Sequence, residues 1–181
     1  AFHEVFRSHV ALKCLKVPDT LAKEQRPAFL ERFRSEAELL FRLSAALPEV
    51  VRPLQFGLLE TAGFVPFLAL EWLEGETLDG FVSKRTQAGK APVGLSQALD
   101  LLTPVARVLS RAHHFHDQGE TIAIIHADMK PENVFLANVH GERVVKVLDF
   151  GISKLVKGAG DGHQTHAQAS FGSPLYMSPE T

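Results

Sequence analysis

The stretch His126-Ala127-Asp128-Met129-Lys130-Pro131-Glu132-Asn133 lies between two short apolar runs, Ile122–Ile125 and Val134–Leu136, which read as strands. Loops held by rigid strands are where catalytic groups tend to sit. Asp128 can accept a proton from a hydroxyl nucleophile, and Lys130, two residues on, can steady a transferring phosphoryl group. Asn133 can offer a carbonyl oxygen to a magnesium ion. Taken alone, the stretch is equally compatible with a hydrophilic turn. Sixteen residues after Asn133 comes Asp149-Phe150-Gly151, directly after the apolar run Val144–Leu148. A carboxylate at a strand end completes a hard oxygen site for Mg²⁺, with Phe150 free to bury beside it and Gly151 suited to a hinge.

Working upstream, Pro27–Leu43 reads as a helix with Pro27 in its first turn and an apolar stripe of Leu30, Phe33, Ala37 and Leu40. Glu36 falls along that stripe, where a carboxylate is costly unless paired. The preceding apolar strand, His9–Lys16, carries Lys13 between Leu12 and Cys14. A Lys13–Glu36 pair would satisfy both charges; the alternative is two separately solvated surface groups.

Together these segments resemble the signature set of the eukaryotic-type protein kinase family, in its bacterial serine/threonine branch. Val10-Ala11-Leu12-Lys13 matches the lysine strand, Glu36 the partner glutamate, and His126 through Asn133 the catalytic loop. Asp149-Phe150-Gly151 matches the DFG motif and Ser178-Pro179-Glu180 the APE motif. Phe33-Arg34-Ser35-Glu36-Ala37 and Leu175-Tyr176-Met177-Ser178-Pro179-Glu180 carry the bacterial flavour. The resemblance spans nearly the whole chain. It implies an α+β, protein-kinase-like bilobal fold using ATP and Mg²⁺ to phosphorylate Ser or Thr hydroxyls of protein substrates. In that reading Lys13 holds the α- and β-phosphates, oriented by Glu36. Leu70 is the gatekeeper, and Glu71 and Leu73 offer backbone groups to adenine. Val5, Ala11 and Phe135 sandwich the ring. Asp128 is the base, Lys130 its neighbouring cation, and Asn133 and Asp149 hold magnesium. Lys130-Pro131-Glu132 is the serine/threonine form of the loop, and Ser173 stands where such kinases usually carry threonine.

The same reading divides the chain into a β-rich lobe over 1–71, a linker over 72–76 that includes the polar Glu74-Gly75-Glu76, and the start of a helical lobe over 77–181. Val50–Glu60 and Phe64–Glu71 are expected as strands joined by a Thr61–Gly63 turn. A long helix is expected from an N-cap at Ser96. Its stripe, Ala98, Leu101, Leu102, Val105, Val108, Leu109 and Ala112, stays in phase across Pro104. His140-Gly141 signals a turn, and 158–172 reads as a polar, glycine-rich loop.

Four departures from the family pattern carry expectations. His3 stands where the third glycine of the phosphate-covering loop belongs, so that cover is in doubt. Only seven residues separate Val5 from Lys13, a tight connection. Ala127 replaces the arginine that normally meets a phosphorylated activation loop, so activity is not expected to depend on phosphorylating Thr165 or Ser170. The chain stops at Thr181, where the family continues into further helices. The isolated chain is therefore expected to expose apolar surface and to fold poorly.

Composition narrows the alternatives. Among 181 residues, 19 basic and 21 acidic side chains give a formal charge of −2, unlike a basic nucleic-acid surface. The best apolar run, Phe64 to Leu70, is far short of a membrane span, so any membrane link would come from outside this chain. The one cysteine, Cys14, makes no internal disulfide and fits a cytoplasmic setting. His113, His114 and His116 read as a helix-end cap rather than metal ligands. Phe115–Ala123 is longer than the family's connection. Gly158-Ala159-Gly160-Asp161-Gly162 lacks dinucleotide-binding spacing, and no Walker-type loop occurs. Two rivals stay open: a pseudokinase scaffold, favoured by the damaged glycine loop, and a small-molecule phosphotransferase, which can share the HxDxxxxN loop.

Overall fold

The computed structural model describes residues 1–4, 7–15, 17, 21–59, 64–150, 155–156 and 174–176. Expectations resting on Val5, Thr61–Gly63, Gly151, 158–172, Ser173 and Ser178-Pro179-Glu180 lie outside them. The chain divides into two compact units, Ala1–Leu73 and Glu74–Thr181.

Among its described residues, the first unit is an antiparallel sheet with one α-helix. Strands β1 (Phe2–His3), β2 (Ser8–Cys14), β3 (Pro53–Leu59) and β4 (Val65–Glu71) lie in the order β1-β2-β4-β3. Helix α1 runs Arg26–Ala46, with Pro27 in the first turn, where a missing N–H is harmless. It extends three residues past the expected end, because good helix formers continue up to Ala46 and Pro48 stops it two residues on. Phe33, Ala37, Leu40 and Leu43 are buried, and Phe33 meets Phe56 of β3 with ring centroids 5.4 Å apart. Leu43 and Leu68 are about 1% exposed; burying such a side chain stabilises by roughly 1.5–3 kcal/mol. The expected strand from Val50 begins instead at Pro53. Proline has no ladder N–H, and the β3–β4 register slips between Pro53 and Gln55.

Among its described residues, the second unit contains two three-stranded sheets and two α-helices. Strand β5 (Gly75–Thr77) joins β8 (Val134–Val139) and β9 (Glu142–Val147) in the order β5-β8-β9. Strands β6 (Phe115–Asp117), β7 (Glu120–Ile124) and β10 (Leu155–Val156) form a second sheet, order β10-β7-β6. Helices α2 (Leu78–Gln87) and α3 (Leu95–His113) lie between β5 and β6 in the chain. Pro104 sits inside α3, and the helix persists because Leu101, Val105, Val108 and Ala112 bury one continuous stripe on both sides of it. Leu95, Leu99 and Leu102 form a separate, exposed row on the same helix. Among the described residues, no helix is long and apolar enough to cross a membrane.

Three local expectations are corrected. Glu74-Gly75-Glu76 is not a linker: Gly75 pairs with Ala137 and Glu76 with Leu136, and Asn138 N–H donates to the Glu74 carbonyl at 2.7 Å. Thr77 then caps α2, a helix that composition had not signalled, its Oγ1 accepting from Gly80 N–H at 3.1 Å. The cap of α3 is Gly94, not Ser96. The Gly94 carbonyl accepts the first intrahelical bond, from Ala98 N–H at 2.9 Å, which leaves Ser96 inside the first turn. The expected His140-Gly141 turn is present, both residues at positive φ (52° and 87°), as a two-residue hairpin between β8 and β9 requires. Gln118-Gly119 (51° and 88°) does the same between β6 and β7, so the long Phe115–Ala123 connection is a hairpin.

Gly75 has φ +141°, and a Cβ there would collide with the Leu136 carbonyl oxygen. Gly75→Ala is predicted to destabilise the domain by about 2–4 kcal/mol, from the forbidden backbone angle plus a clash with main chain that cannot yield. A denaturant titration checks this.

Candidate active site

In the second unit, the loop after β7 is pinned at both ends. The pairing of Val134 with Val147 continues through a hydrogen bond from Leu148 N–H to the Asn133 carbonyl, 2.8 Å. Asn133 and Asp149 are thereby held at neighbouring strand ends. His126, 2% exposed, spans the same junction: its Nε2 donates to the Leu148 carbonyl at 2.8 Å. A carbonyl only accepts, so Nε2 carries the proton, and Nδ1 is left to accept the longer 3.4 Å bond from Asp128 N–H. The ring also packs against buried Phe150, centroids 4.9 Å apart.

The functional groups face one another across this anchored turn. Lys130 Nζ lies 3.1 Å from Asp128 Oδ2, both side chains partly solvated. Asn133, itself buried, donates from Nδ2 to the Asp128 carbonyl at 2.7 Å and reaches Asp128 Oδ2 at 3.5 Å. With the amide nitrogen so engaged, Asn133 Oδ1 is the atom left to act as a ligand. An amide oxygen and the Asp149 carboxylate suit a hard divalent cation that takes its remaining oxygens from phosphate and water. Two non-glycine residues here have left-handed backbone: Ala127 at φ +60° and Asp149 at φ +50°. Each such angle costs about 1–2 kcal/mol and persists where surroundings over-determine it, which is common at functional sites.

In the first unit, Lys13 lies on β2 opposite Leu68, and Ala11 opposite Leu70. Leu70 is buried, while Ala11, Glu71 and Leu73 are half-buried. The Glu71 N–H donates to the Arg52 carbonyl at 2.9 Å, so its carbonyl is the backbone group it can present to a ligand. Phe135, in the second unit, is half-buried on β8 opposite Thr77 and Lys146. Glu36 sits on α1 with its side chain 16% exposed. Its hydrogen-bonded cation is Arg32, Nε to Oε1 at 3.3 Å, while Lys13 acts on the same carboxylate through its charge. Burial pushes the Glu36 carboxyl up to about 7, against the opposing pull of Arg32 and then of Lys13. The sequence reading had missed Arg32, although its i,i+4 spacing from Glu36 was visible. It had also missed the anchoring role of His126, which depends on a partner 22 residues away.

Two of the three histidines near the end of α3, His114 and His116, act as caps. His114 Nδ1 bonds the Ser110 carbonyl and His116 Nδ1 the His114 carbonyl, each at 3.0 Å. Among the described residues no group of three His, Cys, Asp or Glu could hold a metal.

The raised Glu36 carboxyl has a signed consequence. The folded state binds its proton more tightly than the unfolded chain does, so the stability it contributes is fully present below about 4.5 and is lost as pH rises through about 7. Glu36→Gln is therefore predicted to match wild type at pH 4.5 and to be more stable at pH 8, by about 1 kcal/mol after allowing for solvent screening. Denaturation followed by the fluorescence of Trp72, the chain's one tryptophan, at both pH values checks this.

The family model described as protein kinase domain matches residues 1–181. The chain is 34% identical over 157 residues to serine/threonine-protein kinase A of Synechocystis sp., covering 85% of this chain and 28% of that protein. It is 37% identical over 150 residues to serine/threonine-protein kinase pkn2 of Myxococcus xanthus, covering 83% and 16%. Against the probable serine/threonine-protein kinase PknB of Corynebacterium glutamicum it is 36% identical over 173 residues, covering 94% and 23%. The chain thus spans between 16% and 28% of the lengths of these relatives. By the family model and by these relatives, the chain belongs to the protein kinase domain family.

Proposed function

We propose that this domain transfers the γ-phosphoryl group of ATP to Ser or Thr hydroxyls of protein substrates. The observation that supports it most directly is the Asp128–Lys130–Asn133 cluster, held to the strand end that carries Asp149. Relatives named serine/threonine-protein kinases support the choice of acceptor.

The substrate hydroxyl approaches Asp128, which accepts its proton as the oxygen attacks the γ-phosphorus in line. The bond from that phosphorus to the β–γ bridging oxygen breaks, and ADP leaves with the electron pair. Lys130, 3.1 Å from the Asp128 carboxylate, keeps a positive charge beside the transferring group. Asn133, through Oδ1, and Asp149 would hold Mg²⁺, which when bound neutralises phosphate charge. Lys13 would take the α- and β-phosphates and Glu36 would orient it. Leu70, the Glu71 carbonyl, Leu73, Val5, Ala11 and Phe135 would receive adenine. Residues 1–73 and 74–181 act as the two lobes. An ATP-consuming domain with an exposed free thiol at Cys14 fits a cytoplasmic setting.

Two experiments test the proposal. Labelled ATP and Mg²⁺ are supplied to the full-length protein beside an Asp128→Asn copy. Ser or Thr labelling should fall at least about a hundredfold in the variant while nucleotide affinity holds. Bound nucleotide without labelling in either protein would favour a scaffold, and labelling of aminoglycosides or sugars instead would favour a small-molecule enzyme. Because Ala127 supplies no cation to an activation-loop phosphate, Thr165→Ala and Ser170→Ala should each leave kcat within about twofold of wild type. A large loss in either would contradict that reading.

A further inference from the structure

We propose that Arg32 is a positioning residue for the phosphoryl-transfer reaction: its guanidinium, hydrogen-bonded to the Glu36 carboxylate, supports the negative charge that Glu36 presents to Lys13. The inference rests on the kinase reading above and adds to it a residue outside the family's motifs.

Glu36 lies among the buried side chains of α1, with Phe33, Ala37 and Leu40 as neighbours on the stripe. The facing strand β3, Pro-Leu-Gln-Phe-Gly-Leu-Leu, brings no ionisable side chain to it. Among the described residues, the cations acting on its carboxylate are Arg32, one helical turn earlier, and Lys13 of β2. An ionised carboxylate in such surroundings needs a compensating charge at hydrogen-bond distance. Arg32 supplies one at 3.3 Å, through a single donor, Nε, on a single oxygen, Oε1. That leaves acceptor capacity on both carboxylate oxygens for the lysine. Arg32 is itself 66% exposed, so it makes the pair without burying its own charge. Unlike lysine, arginine keeps its charge at every working pH.

The same helix provides an internal control. Arg34 and Glu38 form an i,i+4 pair of the same chemistry, Nε to Oε1 at 3.1 Å, but both side chains are more than half exposed. Water solvates that pair whether or not it forms, so it has little to organise. The difference between the two pairs is the burial of the carboxylate.

The test is the pH profile of transfer by the full-length protein in wild type, Arg32→Ala, Arg32→Lys, Arg34→Ala and Glu36→Gln, with the Glu36 carboxyl carbon titrated by NMR in the first two. Losing Arg32 should move the acid limb and the carboxyl midpoint up by about half a pH unit. Transfer should then fall about 2–3-fold at pH 6.5 and return to near wild type at pH 8.5. Arg32→Lys should restore most of the loss, Arg34→Ala should change nothing, and Arg32→Ala should add nothing to Glu36→Gln. An equal loss at both pH values, or no loss at either, would overturn the inference. If wild type transfers no phosphate at any pH, the kinase reading fails. The carboxyl titration then decides alone: a midpoint that rises in Arg32→Ala supports the role of Arg32, and an unmoved one refutes it.

Discussion

The second unit depends on the junction between the loop after β7 and the end of β9. Two carbonyl–donor contacts make it: Leu148 N–H to Asn133, and the His126 ring to Leu148. Neither alone is worth more than about 0.5–1.5 kcal/mol net. Their effect is geometric, because they close a turn that begins and ends on packed strands. Once it is closed, Asp128, Lys130 and Asn133 have few alternative placements. Burial of the imidazole matters as well, since water cannot compete for its bond, and Phe150 packs against the ring in a tilted contact.

That closure also explains the two strained backbone angles. Ala127 lies between the buried histidine and the carboxylate, and Asp149 between the anchored Leu148 and buried Phe150. Both adjoin residues fixed by burial and hydrogen bonds, and those neighbours hold the left-handed angle in place. At Asp149 the side chain tolerates the region better than most. Alanine at 127 has no such help, so the turn there is held by its surroundings alone.

In the first unit the organising constraint is a carboxylate in an apolar stripe. Burial favours the neutral form of Glu36, and two cations on different elements oppose it. The outcome is a group poised near neutrality rather than fully ionised. A helix face that packs well and a charge that must stay accessible are in tension at this position, and the tension is met by an exposed arginine one turn away. A protonation state set by a neighbour on the same helix moves with that helix, whereas a contact to β2 also depends on how helix and sheet pack.

Much of this was legible in the sequence because it rests on local chemistry. The residues of the catalytic loop, the lysine strand and the long helices are marked by period and by side-chain type, and the His140-Gly141 turn by its need for positive φ. Gly75 was misread because glycine between two glutamates looks like solvent-exposed chain; only the approach of Leu136 makes it a strand residue. Ser96 was misread because a cap is defined by which carbonyl takes the first helical bond, not by the hydroxyl nearest the stripe. By itself, then, the sequence determined which residues are chemically able to move a phosphoryl group and on which elements they ride. The tertiary structure alone decided how they are held: that His126 reaches Leu148 and that Asn133 turns its amide to Asp128. Those are contacts through space, and their energies depend on burial, which no order of residues states.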